Sequence, residues 1–153
     1  MGISDFISLD DSLWPLLIAK FVGQPSLQQQ EEYFSRLLDY LGREEQFVGI
    51  LDTRQVRMMT AEHRQRLTEF MEKHDALIRA RCVGCAAVIT SPVMQLVASL
   101  VLYFRPMPFP YYSTSTLPEA VRWTARCLED AGHQPDASRI RQHYGLHVEK
   151  RAG

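Results

Sequence analysis

Apolar and polar residues fall into short blocks along the chain, and each block carries the period of one structural element. Leu16-Leu17-Ile18-Ala19-Lys20-Phe21 is an apolar run with Pro15 at its start, where a missing backbone donor is tolerated. It reads as a strand that Gly23 and Pro25 stop. Before it, Asp5 to Leu9 is a short mixed run, and Asp10-Asp11-Ser12 is turn chemistry, because these side chains hydrogen-bond their own backbone. The two runs predict an antiparallel hairpin at a sheet edge. Ser26 with Gln29 is a capping-box pattern. Phe34, Leu37, Leu38 and Leu41 follow it at helical spacing, with Glu31, Glu32, Arg36 and Asp39 on the opposite side and Gly42 as terminator.

The middle of the chain repeats a strand-helix rhythm. Phe47 to Asp52 reads as a strand covered on both sides, as parallel strands are. A polar loop from Thr53 to Met59 is expected next, then one long helix capped by Thr60. Its stripe is Leu67, Phe70, Met71, His74, Leu77 and Ile78, with Arg79 and Arg81 suited to the carboxyl end. Ala86 to Thr90 is the next buried strand, and Ser91-Pro92 opens a helix from Val93 to Phe104. That helix is apolar on most sides, so it is expected to be heavily covered, by the sheet and by a second chain. A proline-spaced connector, Arg105 to Pro110, leads to a short strand at Tyr111 and Tyr112. Thr116 with Glu119 is a second capping-box pattern, and Leu117, Ala120, Val121, Thr124 and Leu128 line the core side of a last helix that Gly132 ends.

The order β-β-α-β-α-β-α-β-α predicts an α/β fold: a small, mainly parallel sheet of four or five strands, an antiparallel edge hairpin and four helices. The domain is expected over residues 1–132. Residues 133–153 read as a polar basic tail, with Arg139, Arg141, Lys150 and Arg151 and a short helix around Asp136 to His143.

Composition narrows the class. The chain has 153 residues, 46% hydrophobic and 23% charged, with a net charge of −1. One domain of this size buries a sizeable core without staples, and there is no global field to attract nucleic acid. The longest apolar run, Val93 to Phe104, is shorter than the ~20 residues of a membrane span. The amino terminus lacks the pattern of a signal peptide, which predicts a cytoplasmic protein. Cys82 and Cys85 form a C-x-x-C between a helix end and a strand start, with no second ligand pair for zinc. The expected reading, with that of Cys127, is small buried hydrophobes, with no metal and no cofactor.

Several landmarks together resemble the SpoIIAA-like branch of the STAS fold, the family of anti-sigma-factor antagonists. They are the strand after Pro15 ending Phe21-Val22-Gly23, the strand end Ile50-Leu51-Asp52, the strand Ala86-Ala87-Val88, the proline-rich approach to Tyr111, and Pro118-Glu119-Ala120-Val121-Arg122-Trp123. The likeness spans roughly residues 5–132. It implies a regulatory, non-enzymatic module that binds a protein partner. In switched members of that family a Ser or Thr at the start of the helix after the second parallel strand is phosphorylated, and Thr60 falls at about that place. The family's switch is Asp-Ser-Gly-like, whereas Met59-Thr60-Ala61-Glu62 stands here, so Thr60 is read first as an N-cap and second as a phosphosite.

The expected partner-binding residues are Thr53, Arg54, Arg57 and Thr60, at the carboxyl end of the strands where open α/β sheets meet ligands, with Met107 and Phe109 as apolar anchors. Self-association through Val93–Phe104 goes with this reading. A second reading is a small-ligand or lipid pocket between the Thr60 and Val93 helices. A third is an enzyme or accessory protein of a biosynthetic pathway, with Asp52 and His63 as an acid/base pair. His143 and His147 are spaced without a metalloprotease pattern.

Overall fold

A computed structural model of the chain describes residues 5–104 and 106–146. Five strands form one sheet in the order β1-β2-β3-β4-β5, where β1 is Phe6–Leu13, β2 Leu16–Gly23, β3 Phe47–Val56, β4 Cys82–Val88 and β5 Tyr111–Thr114. The β1–β2 pair is antiparallel and the other three are parallel. Six helices connect and cover them: α1 Leu27–Leu41, α2 Ala61–Lys73, α3 Asp75–Arg81, α4 Pro92–Phe104, α5 Leu117–Asp130 and α6 Gln134–His143. This is the expected α/β architecture, with two helices more than the apolar stripes suggested.

Each sheet face has its own core. On one, Leu16, Val48, Ile50, Ala86 and Val88 meet Ala120, Val121, Ala125 and Leu128 of α5 and Ala137 and Ile140 of α6. On the other, Leu17, Phe47, Cys82 and Cys85 meet Tyr40 and Leu41 of α1, Met71 of α2 and Ile78 of α3, and Ala19 meets Tyr33 and Phe34. Helix α5 lies close on β4 because Gly84 has no Cβ; one placed there would come within 2.6 Å of Cys127 Sγ.

The Ser26 capping box forms in full: the Ser26 hydroxyl accepts from Gln29 N at 3.1 Å and Gln29 Oε1 accepts from Ser26 N at 2.7 Å. The Thr116 box is half formed. Its hydroxyl accepts from Glu119 N at 3.4 Å, while the Glu119 carboxylate pairs with Arg122 at 3.1 Å.

Several boundaries differ from expectation, each for a tertiary reason. Asp10 to Ser12 is not the hairpin turn. It is an irregularity inside β1, where Ser12 N donates to Asp10 Oδ1 at 2.9 Å. The chain reverses at Trp14–Pro15, whose peptide bond is cis. Trp14 stacks there on Tyr40 and Phe47 with ring centroids 5.2 and 5.3 Å apart. Strand β3 continues through Thr53–Val56, expected to be loop, because Gln55 and Val56 pair with Val22 and Gly23 of β2; pairing overrides polar composition. Strand β4 begins at Cys82, so the C-x-x-C lies within it. A register shift next to the Phe47–Cys82 pair brings Cys82 and Cys85 into the same core cluster. The long helix breaks at His74, whose ring lies 4.8 Å from Phe70.

Two departures matter for function. Among its described side chains, helix α4 is not heavily covered within the chain: Val93, Leu96, Leu100 and Tyr103 stand exposed, and Met94 is buried. Residues 134–143 form helix α6, where a short helix around Asp136 to His143 was expected, but it is not part of a polar tail: Ala137 and Ile140 are fully buried. His147 and the residues after it lie outside the described residues.

The burial of α6 is measurable. Ile140→Ala should cost about 2–5 kcal/mol in urea unfolding, the range for a buried aliphatic truncated in a core. A loss below about 0.5 kcal/mol, typical of a surface position, would mean that α6 is not packed as described.

Candidate functional site

The parallel strands end together at Gly23, Val56, Val88 and Thr114, and the loops there precede α1, α2, α4 and α5. The loop from Arg57 to Thr60 is the centre of this end. It is short because β3 is long, and its backbone is tied down. Arg57 N donates to Gly23 O at 2.9 Å, Arg64 Nη1 donates to Met59 O at 3.0 Å, and Arg64 N donates to Thr60 O at 3.1 Å.

Thr60 caps α2 in extended conformation, and its hydroxyl accepts from His63 N at 3.2 Å. The same oxygen lies 2.6 Å from His63 Nδ1, while His63 Nε2 lies 2.8 Å from the Pro25 carbonyl. A carbonyl only accepts, so Nε2 carries a proton; in the neutral ring Nδ1 is then the acceptor and the Thr60 hydroxyl donates to it. The neighbouring Gln30 Nε2 donates to the His63 carbonyl at 2.9 Å. Thus α2 begins stitched to α1 and to the strand-to-helix turn at Pro25.

Asp52 and Arg54 form a second fixed pair. The carboxylate is buried and accepts from Arg54 Nε at 2.9 Å, Nη2 at 2.8 Å and backbone N at 3.2 Å. Arg54 hydrogen bonding holds the Asp52 carboxyl below its usual pKa against the opposing effect of burial. Thr53, on the same strand, donates its hydroxyl to Val88 O at 2.8 Å, which joins the ends of β3 and β4. Asp52 and His63 are therefore each engaged elsewhere, with no hydrogen bond between them; the expected acid/base pair is not formed.

The expected partner-binding residues divide between two places. Arg57 and Thr60 lie at the carboxyl end with Thr53 and Arg54. Met107 and Phe109 precede β5, whose Tyr111 pairs with Cys85, itself level with Gly49 near the start of β3. From Gly49 to Arg57 is roughly 25 Å along an extended strand. Met107 and Phe109 instead wall a cavity of about 130 Å³, with Leu17, Phe70, Met71 and Cys85 among its other walls. Its lining is almost wholly apolar. No described side chain of helix α4 lines it, so this is not the pocket expected between the Thr60 and Val93 helices. A cavity made by residues so distant in sequence leaves no local signal.

Cys82 and Cys85 sit in this core, and Cys127 packs against the core on the opposite face of the sheet. Burial pushes the Cys82 thiol up to about 12, raises Cys85 well above the ordinary thiol value, and lifts Cys127 to about 11. Protonated thiols in apolar surroundings pack as small hydrophobes. No group of three or more His, Cys, Asp and Glu side chains suited to a metal occurs among the described residues. No helix among them is long and apolar enough to cross a membrane.

Known structures share this arrangement. The crystal structure of an uncharacterized DUF3478-family protein with a SpoIIAA-like fold from Shewanella loihica PV-4 superposes with a TM-score of 0.62 at 14% identity, over 81% of this chain and 98% of that one. An anti-sigma factor antagonist from Mycobacterium paratuberculosis superposes with a TM-score of 0.51 at 13% identity, over 79% and 94%. No family model matches the sequence, and no curated protein does. The fold is of the STAS type, SpoIIAA-like, as the landmark residues implied.

The Asp52–Arg54 pair makes a pH prediction. The folded-state pKa of Asp52 is lowered, so its stabilisation is complete above the unfolded value of about 3.9 and is lost as pH falls through the lower folded value. Asp52→Asn should cost about 1–3 kcal/mol at pH 7 and flatten the acid limb of stability. Urea unfolding at pH 7 and below 4 checks both; equal pH slopes in the two proteins would contradict the pairing.

Proposed function

We propose that the chain is a non-enzymatic regulatory module, working in the cytoplasm, that docks a protein partner on the surface around Arg57 and the start of α2. The carrying observation is Arg57 beside Met58, exposed at 73% and 59%, on a loop whose backbone is pinned at both ends. Arginine and methionine are enriched at interfaces, and a pre-ordered loop loses little entropy on binding. Arg57 has a modest partner in Asp5 at 3.3 Å, both well solvated, an ion pair that a partner's carboxylate can displace at small cost. Thr53 and Arg54 border the surface, and Thr60 sets the orientation of α2. The same fold in an anti-sigma factor antagonist supports the reading.

Thr60 is the candidate phosphosite of this surface. A phosphate there sits at a helix amino end, where free N–H groups and the helix dipole favour it. It also removes the hydroxyl proton available to His63 Nδ1, so modification breaks the Thr60–His63 bond that helps hold the ring against Pro25. Glu62, engaged with Arg66 at 3.3 Å, is the opposing carboxylate.

Affinity capture of the tagged chain from its native lysate, with mass spectrometry of what co-purifies, tests the docking surface. A near-stoichiometric partner that Arg57→Glu reduces at least tenfold is the expected result. A partner retained equally by the variant would place docking elsewhere, and none in either sample would argue against a binding module.

The apolar cavity carries a second reading. At about 130 Å³ it suits a ligand of roughly benzene size, comparable to cavities that stay dry and take benzene or xenon. Met107 and Phe109 would then be ligand walls rather than partner anchors. Saturating benzene should raise the thermal midpoint; an unchanged midpoint removes this reading.

A further inference from the structure

We propose that α4 is the interface of a homodimer, two copies of the helix packed antiparallel across a two-fold axis. Four large side chains stand out from this one helix: Val93 at 69% exposure, Leu96 at 63%, Leu100 at 51% and Tyr103 at 82%. Soluble chains rarely leave such a contiguous stripe open to water.

The intervals between them identify the occupant. They are three, four and three residues, the a/d spacing of a helix that packs against another helix. The pattern also reads the same in both directions about position 98. An isologous contact places one patch against itself. On an antiparallel pair of helices, position 93 then faces position 103, and position 96 faces position 100. Val93 meets the partner's Tyr103, and Leu96 meets the partner's Leu100. The symmetry of the interface is thus already present in the spacing of a single chain.

Electrostatics permit self-pairing. Pro92–Phe104 contains no Asp, Glu, Lys or Arg, so bringing two copies together opposes no like charges. The exposed polar residues beside the stripe have partners within the chain. The Ser99 hydroxyl donates to Gln95 O at 2.9 Å, and Gln95 Nε2 donates to Ile89 O at 3.4 Å. Covering them leaves fewer groups that need water. The other side of the helix is anchored: Met94 packs with Ala87 and Ile89, and Ala98 packs against the same cluster with Met59. The same absence of Lys and Arg argues against a lipid surface, since helices that lie on membranes carry cations along their polar face.

Four side chains on each copy make a contact smaller than the ~1,600 Å² of a standard stable interface. The dimer should therefore dissociate on dilution, with its midpoint between about 1 µM and about 1 mM.

Sedimentation velocity of the full chain over that range tests the proposal. The wild type should pass from monomer to dimer, and Leu96→Glu with Leu100→Glu should stay monomeric at every concentration. Both positions are exposed, so the variant should keep the far-UV circular dichroism and thermal midpoint of the isolated monomer. Cross-linking fixes the orientation. In the antiparallel pair the two copies of position 93 are about 15 Å apart, ten residues of rise. Val93→Cys alone should then give no oxidised dimer on a non-reducing gel, whereas Val93→Cys combined with Tyr103→Cys should. A wild type monomeric throughout, a dimer that survives the double glutamate variant, or cross-linking by Val93→Cys alone would each overturn the proposal. So would co-sedimentation of the monomer with neutral phosphatidylcholine vesicles that the glutamate variant loses, which would make the stripe a lipid-binding surface.

Discussion

Strand β3 has to be covered on both faces, and the rest of the molecule is arranged to meet that requirement. Val48 and Ile50 are wholly inaccessible on the side of α5 and α6, and Phe47 is buried on the side of α1 to α3. Parallel neighbours on either side satisfy its backbone. Those neighbours can only be joined by crossovers, and the sequential strand order makes every crossover step the same way. Right-handed connections then stack their helices on one face. The opposite face is left to whatever follows β5, which is why α5 and α6 belong to the core. An apolar helix pair there removes Ala120, Val121, Ala125, Leu128, Ala137 and Ile140 from water together. Area burial of this kind supplies most of the stability of a small domain.

The same constraint makes the carboxyl end a working surface. Because β3 extends through Val56, the chain has only Arg57 to Thr60 in which to leave the sheet and enter α2. A segment so short is held by its ends rather than by its own side chains. Gly23 takes the first backbone donor, and the Thr60–His63–Pro25 hydrogen bonds fix the last residue. The side chain of Met58 is then left exposed, and that of Arg57 makes a solvated ion pair with Asp5. The Asp52–Arg54 pair differs: it fills most of a buried carboxylate's hydrogen-bonding capacity, and is better explained as support for the strand end than as chemistry.

Elements whose signals are local were legible in the amino acids alone. Ser26, Thr60 and Thr116 cap helices as their types suggest, and Phe34 and Leu41 face inward as their spacing suggests. What failed was set by distant partners. Thr53–Val56 looks like loop until β2 is known to run alongside it. Asp10 to Ser12 has the composition of a turn, yet the reversal falls where Trp14 finds Tyr40 and Phe47. The polar look of residues 133–153 conceals Ala137 and Ile140, two small stretches of apolar surface on a charged helix. The Thr60–His63 geometry was half visible, since a threonine and a histidine three apart at a helix start share a face. Its other half, Pro25, is 38 residues away from His63. The cavity was invisible, because its walls come from seven different elements and the connector before β5.

Helix α4 shows why apolar composition and burial must be separated. A helix apolar on most sides reads as covered, and one side of α4 is covered, by Met94 and Ala98 against the end of the sheet. On the remaining side Val93, Leu96, Leu100 and Tyr103 stand largely exposed, because the crossover from β4 to β5 spans the last interstrand gap, beyond the helices α1 to α3 that shelter one another. A crossover at the end of a sheet with no neighbouring helix must either be polar on its outer side or find a cover outside the chain. Here the outer side is apolar and uncharged. It also starts from the strand end that carries the Arg57 loop, with Met59 packed against the α4 cluster. The covered side of α4 and the loop that carries Arg57 therefore share one apolar cluster, while the outer side is left to the second copy.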